Sequence, residues 1–172
     1  MTHAADWLQF RLGDQTHALE AACVRHIARA PQLLPLPLPG GVMRQRCPGL
    51  MAWQGRALPV LDLGACLLRR PSARGEQARF VVWTQARQAG VFAVDGVGAV
   101  LRLSPATLTE HWAPVQPGLP KPWSAIRGVL HGGALSPAAP ASVSGVIAVF
   151  DALALWQACW HLVHHGAGGY TP

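Results

Sequence analysis

Charge is scarce in this chain. Only 13% of its 172 residues are Asp, Glu, Lys or Arg, and the acidic ones number eight. Those eight, Asp6, Asp14, Glu20, Asp62, Glu76, Asp95, Glu110 and Asp151, form no evident acid/base pair. Three signatures of catalysis are also missing: the phosphate-cradling G-x-x-x-x-G-K-[ST], the zinc-binding H-E-x-x-H and the nucleophile elbow G-x-S-x-G. Gly96-Val97-Gly98 is only a fragment of a dinucleotide loop. The sequence therefore reads as non-enzymatic, with no cofactor. No C-x-x-C pair occurs, and the scattered Cys23, Cys47, Cys66 and Cys159 fit reduced, buried thiols better than a disulfide framework or a zinc site.

Long apolar runs are lacking too, although 51% of the residues are hydrophobic and the mean hydropathy is +0.22. The strongest candidate for a membrane span, Val146 to Val163, is interrupted by Asp151, Gln157 and His161, and an Asp near the centre of a span is costly. No membrane span is expected. The N-terminus has no basic region followed by an apolar one, so a cytoplasmic location is expected. Basic residues outnumber acidic ones by 14 to 8, a net charge of +6, which favours acidic partners by long-range steering. The arginines are dispersed, with local clusters only at Arg25 and Arg29, Arg44 and Arg46, and Arg69 to Arg74. A basic stripe interleaved with aromatic platforms is absent, which speaks against a nucleic-acid-binding module.

What is present is a series of short alternating segments. Trp7 to Leu12 and Thr16 to Leu19 read as a hairpin across Gly13-Asp14, and Ala22 to Arg29 as a third strand. Pro31 to Pro48 carries five prolines and is expected to be a loop or irregular arm. Gly49 to Leu68 reads as strand, Gln54-Gly55-Arg56 turn, strand and short helix, with Asp62 as the helix N-cap. After the breaker-rich Pro71 to Gln77 come strands at Ala78 to Thr84, Gly90 to Asp95 and Val97 to Leu103. Ser104 to Pro122 is again proline-rich, and Ala125 to Leu130 and Val146 to Phe150 form a last pair of strands around an Ala/Pro/Ser insert. Asp151 then caps a helix through residue 165, ahead of a Gly-rich tail, 166–172.

Set side by side, the halves repeat. Phe10 to Val24 echoes Phe80 to Val97, and Pro59 to Leu63 echoes Ala148 to Ala152, so each half ends as strand, Asp, helix. The expected fold is mainly β, with two small five-stranded barrels packed together, short helices and a C-terminal helix. The chain reads as one domain with a first lobe at about 7–70 and a second at about 78–151.

The pieces FRLGDQTHALEAACVRHI (Phe10 to Ile27), Pro39-Gly40, GLMAWQGRALPVLDL (Gly49 to Leu63), GVFAVDGVGAVL (Gly90 to Leu101), IRGVL (Ile126 to Leu130) and VIAVFD (Val146 to Asp151) resemble, in order and spacing, the CheW-like chemotaxis coupling family. That resemblance implies two SH3-like barrels around a shared apolar seam, and a non-enzymatic adaptor. Its implied partners are the tip of a helical chemoreceptor and the regulatory domain of a CheA-type histidine kinase, in chemotaxis or in twitching motility through type IV pili. It also implies a receptor face at Val24, His26, Ile27, Gln54 and Gly55, and a kinase face at Val94, Val97 and Gly98.

Two departures stand out. The family pattern carries Val-x-Glu-Ile where this chain has Val24-Arg25-His26-Ile27, and Asn-x-Arg-Gly where it has Ala52-Trp53-Gln54-Gly55. Losing both members of a candidate ion pair avoids leaving one charge unpaired, and His26 and Gln54 are expected to be neighbours able to share a neutral hydrogen bond. Drift, retuned partner choice and loss of receptor coupling all fit these changes. The last case gives a protein that binds only the kinase or another CheW-like domain.

On the C-terminal helix, His161 and His165 have the i, i+4 spacing of a metal pair, but histidines at a helix C-terminus also complement its dipole, and no metal is expected. Two apolar stripes run along it, Leu153, Trp156, Trp160 and Val163, and Leu155, Cys159 and Leu162. Self-association through this helix follows if one stripe stays uncovered; a helix wedged between the lobes buries both.

Overall fold

The computed structural model describes residues 5–38, 40–72, 75–131 and 145–165. The tail at 166–172, nearly all of the Ala/Pro/Ser insert, Pro39 and Arg74 lie outside the described residues.

The chain opens with β1 (Ala5–Leu12) and β2 (Gln15–Glu20), a hairpin followed by a single 3-10 turn at Ala21–Cys23 and by β3 (Val24–Ala28). Next come β4 (Leu33–Leu34), α1 (Val42–Arg46), β5 (Gly49–Trp53), β6 (Arg56–Asp62) and α2 (Leu63–Leu67). The second half runs β7 (Arg79–Gln85), β8 (Gln88–Val94), β9 (Gly96–Leu103), α3 (Pro105–His111), β10 (Trp112–Pro114), β11 (Ile126–His131), β12 (Val146–Phe150) and α4 (Ala152–His165). The proline-rich stretches read as loops thus hold two short helices, α1 and α3. Each helix fits in a window without prolines or, for α3, with Pro105 at the first helical position, where the missing N–H costs nothing.

Two sheets result, of six strands each rather than five. One has the order β10-β11-β12-β2-β1-β9, the other β3-β7-β8-β6-β5-β4. Neither is a half of the chain. The first joins the N-terminal hairpin to the last four strands and is called here the split sheet; the second uses β3 to β8 without a break and is called the contiguous sheet. The lobes expected at 7–70 and 78–151 are corrected accordingly, because the hairpin of each half pairs with the remaining strands of the other. β2 runs parallel to β12, with Ala18 opposite Val149. In the same way β8 runs parallel to β6, with Val91 opposite Val60.

The repeat is real at the level of register. Leu12 faces Gln15 as Gln85 faces Gln88, and Phe10 faces His17 as Trp83 faces Gly90, a constant offset of 73 residues. The counterpart of Phe10 is therefore Trp83 rather than Phe80. One core seam collects Leu8, Phe10, Leu12, Leu19 and Phe150 from the split sheet, Leu61, Val81, Trp83, Phe92 and Val94 from the contiguous one, and Leu155, Trp156 and Cys159 from α4. Each sheet also keeps a smaller cluster of its own, around Leu130 and Val149 or around Val60 and Val91.

Both capping aspartates act at helix starts. Asp62 Oδ1 accepts from the Ala65 N–H at 3.0 Å and Asp151 Oδ1 from the Ala154 N–H at 2.8 Å, satisfying amides that the first turn leaves open. Asp62 does more, since its carboxylate also accepts from the Ser72 N–H and, at 2.8 Å, from the Ser72 hydroxyl. It thereby ties the chain after α2 onto the end of the contiguous sheet. At the other end of α4, the Arg46 guanidinium donates to the Leu162 carbonyl at 2.7 Å, placing positive charge where the helix dipole is negative.

Candidate functional site

The contiguous sheet ends at β3, whose first residues carry the expected receptor face. Val24 is half-buried and packs against the core seam, while Arg25, His26 and Ile27 are all exposed. A regular strand would bury every second residue. The break in register between Val24, opposite Trp83, and His26, opposite Val82, puts an extra residue on β3; such a bulge turns consecutive side chains outward.

Gln54 and Gly55 sit at the tip of the β5–β6 hairpin with φ of 47° and 72°. Two left-handed residues in a two-residue loop match the twist of the flanking strands, and Gly55 suits the conformation better than Gln54. The hydrogen bond expected between His26 and Gln54 is not formed. A single row of paired residues runs His26, Val82, Val91, Val60, Gly49 across the sheet, and Gln54 lies at the far end of β5 from Gly49. Both side chains face solvent.

The expected kinase face divides. Val94 is 1% exposed and belongs to the core seam, so it supports β8 from within instead of contacting a partner; that expectation is corrected. β8 is buried on both faces over its last five residues, as a strand paired in parallel and covered by packing commonly is. Val97 and Gly98 lie on β9, which ends the split sheet. Val97 is half-buried and Gly98 exposed.

The register offset makes these two edges counterparts. Val24 faces Trp83 as Val97 faces Phe10, and Ile27 faces Val81 as Val100 faces Leu8. β9 is bulged at the matching place. Ile27 and Val100 are 37% and 49% exposed, so each edge offers an apolar side chain beside unpaired strand backbone. Val100 escaped the sequence reading, although the repeat, aligned on Val24 and Val97, would have nominated it.

The C-terminal helix leaves no apolar stripe open. Leu155, Cys159 and Val163 are at most 1% exposed and Trp156 is 8% exposed. Leu153, Trp160 and Leu162 are half-buried. The helix is wedged against the seam, and the ground for self-association through a free stripe falls away. His161 and His165 lie with ring centroids 4.2 Å apart. Among the described residues no group of three or more His, Cys, Asp or Glu is placed to hold a metal ion.

The buried thiols are held in their neutral form. Burial pushes the Cys23 and Cys47 thiols up to about 11. A hydrogen bond with Cys66, together with burial, raises Cys159 as well. These groups stay protonated and unreactive at neutral pH. Burial raises the Asp62 carboxyl against the opposing hydrogen bonds from Ala65 and Ser72, and Asp95 is held by Arg70 at 3.0 Å. Asp62 and Ser72 are the polar groups on the wall of an otherwise apolar cleft, and they are bonded to each other. No helix among the described residues is long and apolar enough to cross a membrane.

The family model of the CheW-like domain matches residues 6–133. Among solved structures, the chain is similar to the crystal structure of the scaffolding protein TtCheW from Thermoanaerobacter tengcongensis, with 14% identity, 98% of each chain covered and a TM-score of 0.66. At that identity the likeness concerns the fold, two small SH3-like β subdomains side by side. No curated protein matches the sequence.

Proposed function

The chain belongs to the CheW-like domain family, and from that premise we propose that it is a non-enzymatic cytoplasmic adaptor, coupling chemoreceptor tips to the regulatory domain of a CheA-type histidine kinase. Chemotaxis and twitching motility through type IV pili are both compatible settings. One observation carries the reading: the molecule has two equivalent edge strands, β3 and β9, each with an exposed apolar residue and each ending a different sheet. A coupler needs two docking places held at a fixed distance, and the shared core seam supplies the rigid connection. The receptor is assigned to the contiguous sheet, at Val24, His26, Ile27, Gln54 and Gly55. The kinase is assigned to Val97, Gly98 and Val100 on the split sheet. A few central side chains would dominate each contact, as in other interfaces of modest size.

A second reading is favoured by the motif departures. With His26 and Gln54 in place of the acidic and basic residues, and no bond between them, kinase association without receptor is the natural outcome of a lost receptor site. Pull-downs with a kinase regulatory domain and, separately, with receptor tips from the same organism decide between the two. Capture of both supports coupling, capture of the kinase alone supports the second reading, and capture of neither sinks the adaptor. In the first case, the double substitution His26→Glu with Gln54→Arg is expected to change receptor affinity by about tenfold and leave kinase binding unaltered. An unchanged receptor affinity would mark the departures as drift.

A further inference from the structure

We infer that the receptor-facing end of the contiguous sheet is a basic surface built for a partner that presents carboxylates; the inference rests on the adaptor reading above and specifies the chemistry of its receptor site. Three arginines lie along it. Arg56 is the first residue of β6, directly after the Gln54-Gly55 tip, and Arg87 is the second residue of the Ala86-Arg87 tip between β7 and β8. Because β6 and β8 run parallel with Val60 opposite Val91, the two tips lie at the same end of the sheet. Arg25, beside the start of β3, joins them through its Nε, which donates to the Thr84 hydroxyl at 2.6 Å one residue from the end of β7.

All three side chains are exposed, and among the described residues none of them makes an ion pair with a carboxylate. The acidic groups near this end are already engaged. Asp151 caps α4 and accepts from Gln85 Nε2 at 3.3 Å, and Glu20 faces Arg127 at 3.8 Å. Positive charge here is not a by-product of the repeat. The counterparts of Arg25 and Arg87 under the 73-residue offset are Gly98 and Asp14, so neither position is basic in the split sheet, whose matching end carries instead Arg11 beside Gly96 and Arg70, which pairs with Asp95. A chain of only 13% charged residues thus places three exposed arginines without a carboxylate partner among the described residues at one end of the contiguous sheet. Oppositely charged surfaces steer encounter and reject partners of like charge, an effect that salt weakens.

The test compares the full-length protein with a variant carrying Arg25→Gln, Arg56→Gln and Arg87→Gln, and with a control of equal charge loss elsewhere, Arg44→Gln, Arg69→Gln and Arg102→Gln. Titrations use recombinant receptor tips from the same organism, the kinase regulatory domain and a short DNA duplex, at low and at moderate salt. The expected result is tip binding that falls with salt and drops by about tenfold or more in the first variant. The control should lose much less, and kinase binding should be unchanged. Tip binding that the first variant and salt leave untouched overturns the inference while the adaptor reading stands. Wild-type protein that binds no tips overturns both the inference and the receptor-coupling reading, and kinase binding then leaves the kinase-only reading standing. Duplex binding tighter than tip binding and lost in the first variant overturns it by assigning the surface to nucleic acid. Melting temperatures of both variants close to that of the wild type show that the fold is intact.

Discussion

In the contiguous sheet every strand from β3 to β8 follows the last, between Val24 and Val94, whereas the split sheet joins a hairpin that ends at Glu20 to strands that begin only at Gly96. Their registers are counterparts, yet the same place is filled differently. In the contiguous sheet it is Gly90, where a Cβ would come within 2.5 Å of the Trp156 ring, so the indole of α4 lies directly on the strand. In the split sheet it is His17, buried between Phe10 and Phe150 with both ring centroids 5.5 Å away. Neither ring nitrogen of His17 has a hydrogen-bond partner among the described residues. Related backbones can therefore be completed by an aromatic residue from a helix or by one from the sheet itself, and the second solution strands a titratable group in the core.

The largest expected effect tests whether the two sheets stand or fall together. Trp83→Ala and Phe10→Ala remove counterparts that are both fully buried in the shared seam, and each is expected to cost about 3–5 kcal/mol. Chemical denaturation should still show one transition for both. A biphasic curve for Phe10→Ala, with the split sheet melting first, would break the comparison.

His17 gives the next effect. Burial lowers its pKa from 6.5 to about 4, so between those values the unfolded chain binds a proton that the native one excludes. Its contribution is fully present above pH 6.5 and is lost as pH falls towards 4, by about 3 kcal/mol in all. The raised Asp62 carboxyl works in the opposite sense, since the native state takes up that proton first as pH falls. Urea titrations near neutrality and at about pH 4.5 should show a steep acid loss that His17→Phe flattens. An equally steep loss in His17→Phe would clear this histidine of the effect.

The smallest of these effects separates the two caps. Asp62 is 6% exposed and holds both α2 and Ser72, so Asp62→Ala should cost about 2–3 kcal/mol, against about 1 kcal/mol for Asp151→Ala at its more open site. Equal losses in thermal melts would show that the Ser72 contacts add nothing.

Much of this was legible in the sequence because it is local. Alternation located the hairpins, and the strand-Asp-helix endings at Asp62 and Asp151 revealed two related halves. The exchange of hairpins between halves was not legible, because likeness of spacing says which segments correspond and not which ones pair. The resemblance implied a kinase contact at Val94, and only the parallel contact of β8 with β6 shows why both faces of β8 are buried there. The candidate receptor face was found through motif positions at Val24, His26 and Gln54. Arg56 and Arg87 carry no motif and become neighbours only when two hairpin tips are brought to one end of a sheet.

The split sheet also sets an order of events during synthesis. The β1–β2 hairpin is made well before its partners, and β12, the strand that β2 must lie against, ends at Phe150, on the order of ten seconds later at common elongation rates. The contiguous sheet can close as soon as β8 has emerged. β1 can meet β9 once Leu103 has emerged, so within the hairpin it is β2, with its buried Leu19, that waits longest for a neighbour.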